Sequence, residues 1–432
     1  MSASRRGVVA IAAGSAGGQV LALAAAPLLS RIYRPADFGV FAVVAALVVT
    51  IGTVAAFRFE LAVPLPEEER DAQALVALGL AAAGVTALLG TVVVLVAGAD
   101  VSRLFGQPEL ARWLWVVPPA AAAMGVVLVL NQLAVRHRRY GSIGQRSFAQ
   151  SLTIVVTQLG AGLAGLRPGG MALGLGVGQV ASAVVLLRDA GLRSAEGRAG
   201  RDRRRLRAVA RRYRRFPLLL APSGLLNILG TQFPVLLIAS WYGASVAGWL
   251  GLTQRVVAMP AALVASAVAQ VYLAEISRAA REGAGTGRRI FVGASRKLTL
   301  IAVPSALLLV VAAPAAFSVL FGAGWATSGS YAQALAVYMA VQFVASPMSQ
   351  TLVVFGQHGR QLAWDLGRVV LVSGAVSAAA LSGASPLAAI WTMSVSGALA
   401  YLACWLMSLR AVTSGAATRP ERTAEPAALA RT

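Results

Sequence analysis

The chain has 432 residues, is 58% hydrophobic and only 12% charged, and carries a formal net charge of +22. A soluble domain covers itself with roughly 25% charged residues, so this surface faces something other than water. One cysteine, Cys404, excludes an internal disulfide and a thiolate metal site, and the two histidines, His137 and His358, fall in loops; no metal or other cofactor is expected.

The apolar residues come in long blocks rather than stripes. Blocks of about twenty residues match a hydrocarbon core roughly 30 Å thick. In lipid each block must satisfy its own backbone hydrogen bonds, which makes it a helix. The short alternating segments of a membrane barrel are absent. The expected fold is an all-α integral membrane protein of about 12 transmembrane helices. The spans fall near 7–29, 38–63, 74–98, 113–135, 148–166, 170–187, 216–240, 246–273, 298–320, 331–355, 367–383 and 386–409. The first has the look of a signal peptide, with Arg5 and Arg6 before an apolar run, but it reaches Leu29 and further spans follow, so it reads as an uncleaved helix.

Charge sets the orientation. With the N-terminus inside, 31 of the 38 basic residues fall in inner segments and five in outer loops, with Arg58 and Arg255 inside spans. Positive residues stay on the cytoplasmic side, so both termini are expected in the cytoplasm and the chain in the inner (cytoplasmic) membrane. The run from Arg198 to Arg215 reads as an anchor on anionic lipid headgroups rather than a nucleic-acid site.

That basic linker, 191–215, separates an N-terminal six-helix lobe (1–190) from a C-terminal one (216–410), followed by a polar tail (411–432) expected to be disordered. The halves share punctuation. Tyr33 and Gly39 match Tyr242 and Gly248, and Leu104-Phe105-Gly106 matches Leu320-Phe321-Gly322. Six spans is an even number, so the repeats are parallel and related by a pseudo-twofold along the membrane normal.

Charges within spans usually face a cavity. Arg255 lies about ten residues into its span, too deep to snorkel with ease. Arg58 lies near the inner end of the second span and either faces the cavity or reaches the headgroups. Glu60, two residues on, projects from the opposite helix face and is not expected to pair with it. The remaining acids are placed in loops or near span ends. Ser223, Asn227 and Thr231 form one polar stripe; Tyr338, Gln342, Ser346 and Gln350 form another. Such stripes line water or bond helix to helix. Pro222, Pro234, Pro260, Pro304, Pro314 and Pro347 interrupt spans of the second half, and Gly170, Gly174 and Gly178 make a face for close helix contact.

Three stretches carry a family resemblance: 30–63 (SRIYRPADFGVFAVVAALVVTIGTVAAFRFELAV), 248–276 (GWLGLTQRVVAMPAALVASAVAQVYLAEI) and the outer-loop FG…W with the following span, 320–355. They resemble Wzx-type oligosaccharide flippases of the polysaccharide biosynthesis family, within the multidrug/oligosaccharidyl-lipid/polysaccharide exporter superfamily. The resemblance implies two six-helix lobes around a cationic cavity. It implies a polyprenyl-pyrophosphate-linked oligosaccharide as substrate, moved from the inner to the outer leaflet by alternating access, with a glycan polymerase and glycosyltransferases as partners. Arg255, Arg58 and Arg31 are then candidates for phosphate, and Gln254, Asn227 and Gln342 for sugar hydroxyls. Relatives in the wider superfamily often use a buried carboxylate for cation coupling; with no acid placed mid-membrane, that coupling is not expected here.

Two other readings compete. A drug or small-molecule exporter of the same superfamily would favour buried acids, whereas the clear buried charge is positive. A membrane-embedded glycan polymerase or ligase needs an acid, base or metal in a sizeable outer loop, and the outer loops offer only Asp37, Asp100 and Glu109. A transporter rather than an enzyme is the expectation.

Overall fold

The computed structural model describes residues 3–191, 202–282 and 284–413. Residues 192–201 of the basic linker and the tail beyond Thr413 lie outside the described residues. The described chain is helical, without a strand. Its helices are α1 (Ala3–Ile32), α2 (Pro35–Val54), α3 (Glu69–Leu104), α4 (Val117–Arg136), α5 (Tyr140–Leu163), α6 (Gly169–Asp189), α7 (Arg203–Arg212), α8 (Ala221–Tyr242), α9 (Ala244–Glu282), α10 (Ala284–Phe321), α11 (Ala326–Met348), α12 (His358–Leu381) and α13 (Pro386–Thr413), joined by short turns. Ten helices among the described residues are long and apolar enough to cross a membrane. The other two expected spans, 148–166 and 246–273, are also helical, the first as far as Leu163 at the end of α5 and the second within α9.

The outward faces bear this out. Leu88, Leu95 and Val96 of α3, and Leu307, Leu308 and Val311 of α10, are exposed. A water-soluble chain does not leave such contiguous apolar faces open, whereas hydrocarbon solvates them.

The chain divides into two compact units, Met1–Arg255 with Ala315–Ser328, and Val256–Pro314 with Gly329–Thr432. In the first, small residues let helices approach backbone to backbone. A Cβ added at Gly14 or Gly18 of α1 would overlap Gly144 or Ser151 of α5. Gly170, Gly174 and Gly178 of α6 lie against Ala161, Gln158 and Ile154 of α5, the close contact expected of that face. The same unit takes in the linker helix α7. Its Val209 is buried, Leu206 pairs with Tyr213 and Phe216 in packing against a cluster around Phe59, Leu130 and Leu186, and Arg205 Nη1 bonds Glu68 at 3.0 Å and Asp71 at 2.6 Å. The hydrogen bond to Glu68 raises the Arg205 pKa, with the charge of Asp71 acting in the same direction.

The shared punctuation marks real counterparts. The Cβ that Gly39 lacks would fall on the Ala244 carbonyl, and the one that Gly248 lacks would fall on the Pro35 carbonyl. So α2 and the start of α9 cross reciprocally, each presenting its glycine to the other's first turn. Gly106 after α3 and Gly322 after α10 both take positive φ, 58° and 100°, a backbone state that glycine adopts without steric cost.

In the second unit, Tyr272, Phe291, Leu298, Met348 and Phe355 form a core with Trp405, whose indole donates to Ser295 Oγ at 3.0 Å. The Tyr272 hydroxyl lies 2.6 Å from Thr351 Oγ1.

Candidate functional site

Arg58 does not continue a helix. The apolar run through Val63 suggested one span over 38–63, but α2 ends at Val54. Phe57 and Arg58 then adopt φ of 51° and 61°, and a short 3-10 turn, Phe59–Ala62, follows. The turn buries Ala55, Ala56, Phe59, Ala62 and Val63, which offsets the cost of two consecutive non-glycine residues in the left-handed region, about 1–3 kcal/mol each. With the helix broken, the helical spacing rule lapses, and Arg58 Nη1 meets Glu60 Oε1 at 3.4 Å. The expectation that these two do not pair is overturned. The guanidinium lies over Gly224 of α8, where any side chain would overlap it; α8 itself packs along α2.

Below this turn Arg136 at the end of α4 ties the chain down. Its Nε bonds Glu69 Oε2 at 2.9 Å and its Nη1 donates to the Pro66 carbonyl at 2.6 Å, while Nη2 reaches the Glu67 carbonyl at 3.3 Å. His137 Nε2 lies 2.9 Å from the other oxygen of Glu69. The connection from α2 to α3 is therefore held at both ends, by its apolar turn and by this clamp.

Ser223, Asn227 and Thr231 line an exposed face of α8, so in this structure the stripe is an open polar surface beginning beside Gly224. Arg255 stands on α9. Gly248 and Gly251 of that helix face Pro35 and Ala42 of α2, and residues three, four and seven apart share a helix face. Arg255 therefore extends the α2-facing line by one turn. Its Nε and Nη1 are buried and have no hydrogen-bond partner among the described residues. A guanidinium offers five donors, so this one has unmet capacity inside the apolar part of the chain. Gln254, its neighbour, is half-buried.

Arg31 is exposed at the end of α1, beside the Gly322 turn. Around it the FG…W motif is fastened. Ser30 Oγ donates to the Phe321 carbonyl at 3.1 Å, Trp325 Nε1 donates to the Ser30 carbonyl at 3.1 Å, and Trp249 Nε1 to the Gly324 carbonyl at 2.9 Å. Trp325 also meets Phe38 edge to face, with ring centroids 4.7 Å apart.

A family model described as "Polysaccharide biosynthesis protein" matches residues 28–330, the stretch that holds the α2 turn, Arg58, Arg255 and the FG…W motif. The chain belongs to that family. It is 24% identical over 375 residues to the succinoglycan biosynthesis transport protein ExoT of Rhizobium meliloti (strain 1021), an alignment covering 84% of this chain and 72% of that protein. Its fold is similar to that of the lipid II flippase MurJ in an inward closed conformation (TM-score 0.73, 11% identity, 94% of this chain and 90% of that one). It is also similar to a MATE family multidrug resistance transporter of the MOP superfamily, inward-facing (TM-score 0.63, 15% identity, 95% and 94% covered). This family member is a multi-pass membrane protein, as its composition indicated.

In the second unit the family member holds a cluster that the sequence reading passed over. Composition puts Arg368 among the inner-segment basic residues and Asp365 in the loop before the span 367–383. The structure starts α12 at His358, and both Asp365 and Arg368 are buried within it. Arg368 Nη2 is 3.7 Å from Asp365 Oδ1, its Nη1 donates to the Tyr401 hydroxyl at 2.9 Å, and its guanidinium stacks 4.8 Å from the Trp364 ring centre. Gln342 donates to the same hydroxyl at 3.0 Å, so its amide here bonds helix to helix. The signal was available: Asp365 and Arg368 are i, i+3, a spacing that joins them on any helix beginning before residue 365.

Proposed function

We propose that this protein is a flippase that carries a polyprenyl-pyrophosphate-linked oligosaccharide from the inner to the outer leaflet by alternating access, in the assembly of a cell-surface polysaccharide. It is a transporter rather than an enzyme. It resides in the inner membrane with both termini in the cytoplasm, and it works beside the glycosyltransferases and polymerase that make and extend the glycan. The observation that carries the reading is Arg255, a guanidinium with two buried nitrogens that have no partner among the described residues, on an apolar helix of a polysaccharide biosynthesis protein. A pyrophosphate headgroup supplies what those donors lack, since guanidinium and phosphate match in bidentate geometry. Arg58 and Arg31 are further phosphate contacts, while Gln254 and Asn227 meet sugar hydroxyls.

The test is lipid-linked glycan content in cells lacking the protein. The intermediate should accumulate on the inner leaflet, wild type should clear it, and Arg255→Ala expressed at the same level should not. Absence of accumulation together with altered drug sensitivity would replace this reading with a small-molecule exporter.

A further inference from the structure

We propose that Glu60 is a resident counter-ion of Arg58, holding the guanidinium while the site is empty and giving way to an anionic phosphate headgroup. The pair is built unlike a structural salt bridge. Its single contact is 3.4 Å, with the Glu60 side chain 3% exposed and that of Arg58 20% exposed. Arg58 Nε and Glu60 Oε2 are both buried with no hydrogen-bond partner among the described residues. A buried ion pair favours the fold only when its remaining donors and acceptors are satisfied, and here they are not.

Two further features point the same way. Arg58 and the residue before it hold left-handed backbone angles that an ordinary turn would give to glycine or asparagine. The side chain this presents is then seated on Gly224, where no Cβ intrudes. Backbone strain, a slot shaped by a glycine and unmet donors together describe an arginine kept ready for a ligand. A carboxylate oxygen already stands against it, in the place that an anionic ligand oxygen would take. Phosphate oxygens bond a guanidinium's planar fork bidentately, which Glu60 in this geometry does not. That the phosphate belongs to a lipid-linked pyrophosphate rests on the proposed function.

The exchange gives Glu60 a definite role. By competing for Arg58, it keeps the headgroup from binding too tightly to leave. Removing its charge should therefore tighten binding and slow clearance of the substrate, whereas a merely structural glutamate would lose both.

The experiment is binding of farnesyl pyrophosphate, with farnesol as the tail-matched control, to the purified full chain in nanodiscs. Glu60→Gln should bind farnesyl pyrophosphate about tenfold more tightly, the equivalent of about 1.4 kcal/mol, with farnesol unchanged. Arg58→Gln should weaken it about tenfold, and adding Glu60→Gln to Arg58→Gln should have no further effect. Should Glu60→Gln not yield monodisperse protein, Glu60→Asp, which draws the carboxylate back by one methylene, should tighten binding by a smaller factor. Unchanged or weaker pyrophosphate binding in the Glu60 variant, or a tightening that persists without Arg58, overturns the proposal. Tightening in a protein whose deletion causes no lipid-linked glycan to accumulate would instead leave the counter-ion standing and remove the flippase reading.

Discussion

Replacing Arg255 by methionine separates a binding arginine from a structural one, because the two predict opposite signs. Methionine keeps much of the side chain's length and removes the charge. An arginine at the centre of a membrane helix costs about 2.5–3.5 kcal/mol on insertion scales. In this protein Nε and Nη1 are buried with no hydrogen-bond partner among the described residues, while the residue as a whole is half-buried. Discounting for that partial exposure leaves about 1–2 kcal/mol recovered on substitution. At the sensitivity of domains of a few hundred residues, this is a rise of about 2–8 °C in thermal midpoint. Scanning fluorimetry of detergent-solubilised wild type and Arg255→Met reads it directly, and the same variant should fail to clear the lipid-linked intermediate. A lower midpoint for Arg255→Met would refute the reasoning, since it would mean that the guanidinium holds helices together.

Arg136→Lys should destabilise the first unit by about 2–3 kcal/mol, because a lysine cannot hold Glu69 and the carbonyls of the turn in one fork; limited proteolysis should then cut between Pro64 and Glu68. Trp325→Phe keeps the edge contact with Phe38 but orphans the Ser30 carbonyl, at a cost of about 1–2 kcal/mol, seen as a lower thermal midpoint. Gly39→Ala and Gly248→Ala each force a methyl group onto a backbone carbonyl, and each should cost at least about 1 kcal/mol by overpacking, measured in the same scan.

Helices were legible wherever apolar length alone decides: each expected span holds a helix, although the one over 38–63 stops at Val54. The glycine face at Gly170, Gly174 and Gly178 was legible for the same local reason. What escaped were the places where a helix stops or starts against its composition. Residues 55–63 are apolar apart from Arg58 and Glu60, and neither Phe57 nor Arg58 is a residue type that announces a positive φ. The break, and with it the Arg58–Glu60 pair, was therefore invisible. Asp365 and Arg368 were lost in the opposite way. Apolar density rises only after residue 367, yet the hydrogen bond to Tyr401 and the stacking on Trp364 carry α12 back to His358. Hydropathy measures what a helix shows to lipid, and these residues face other helices.

The crossing of α2 and α9 has a bearing on ancestry. Were the two halves separate copies of one six-helix protein, a single codon would write both sides of that contact, and one change would break it twice. Joined in one chain, positions 39 and 248 mutate independently, and either half of the crossing can be lost while the other remains. The difference between the stability costs of Gly39→Ala and Gly248→Ala then measures how unequally the two sides of the crossing carry it.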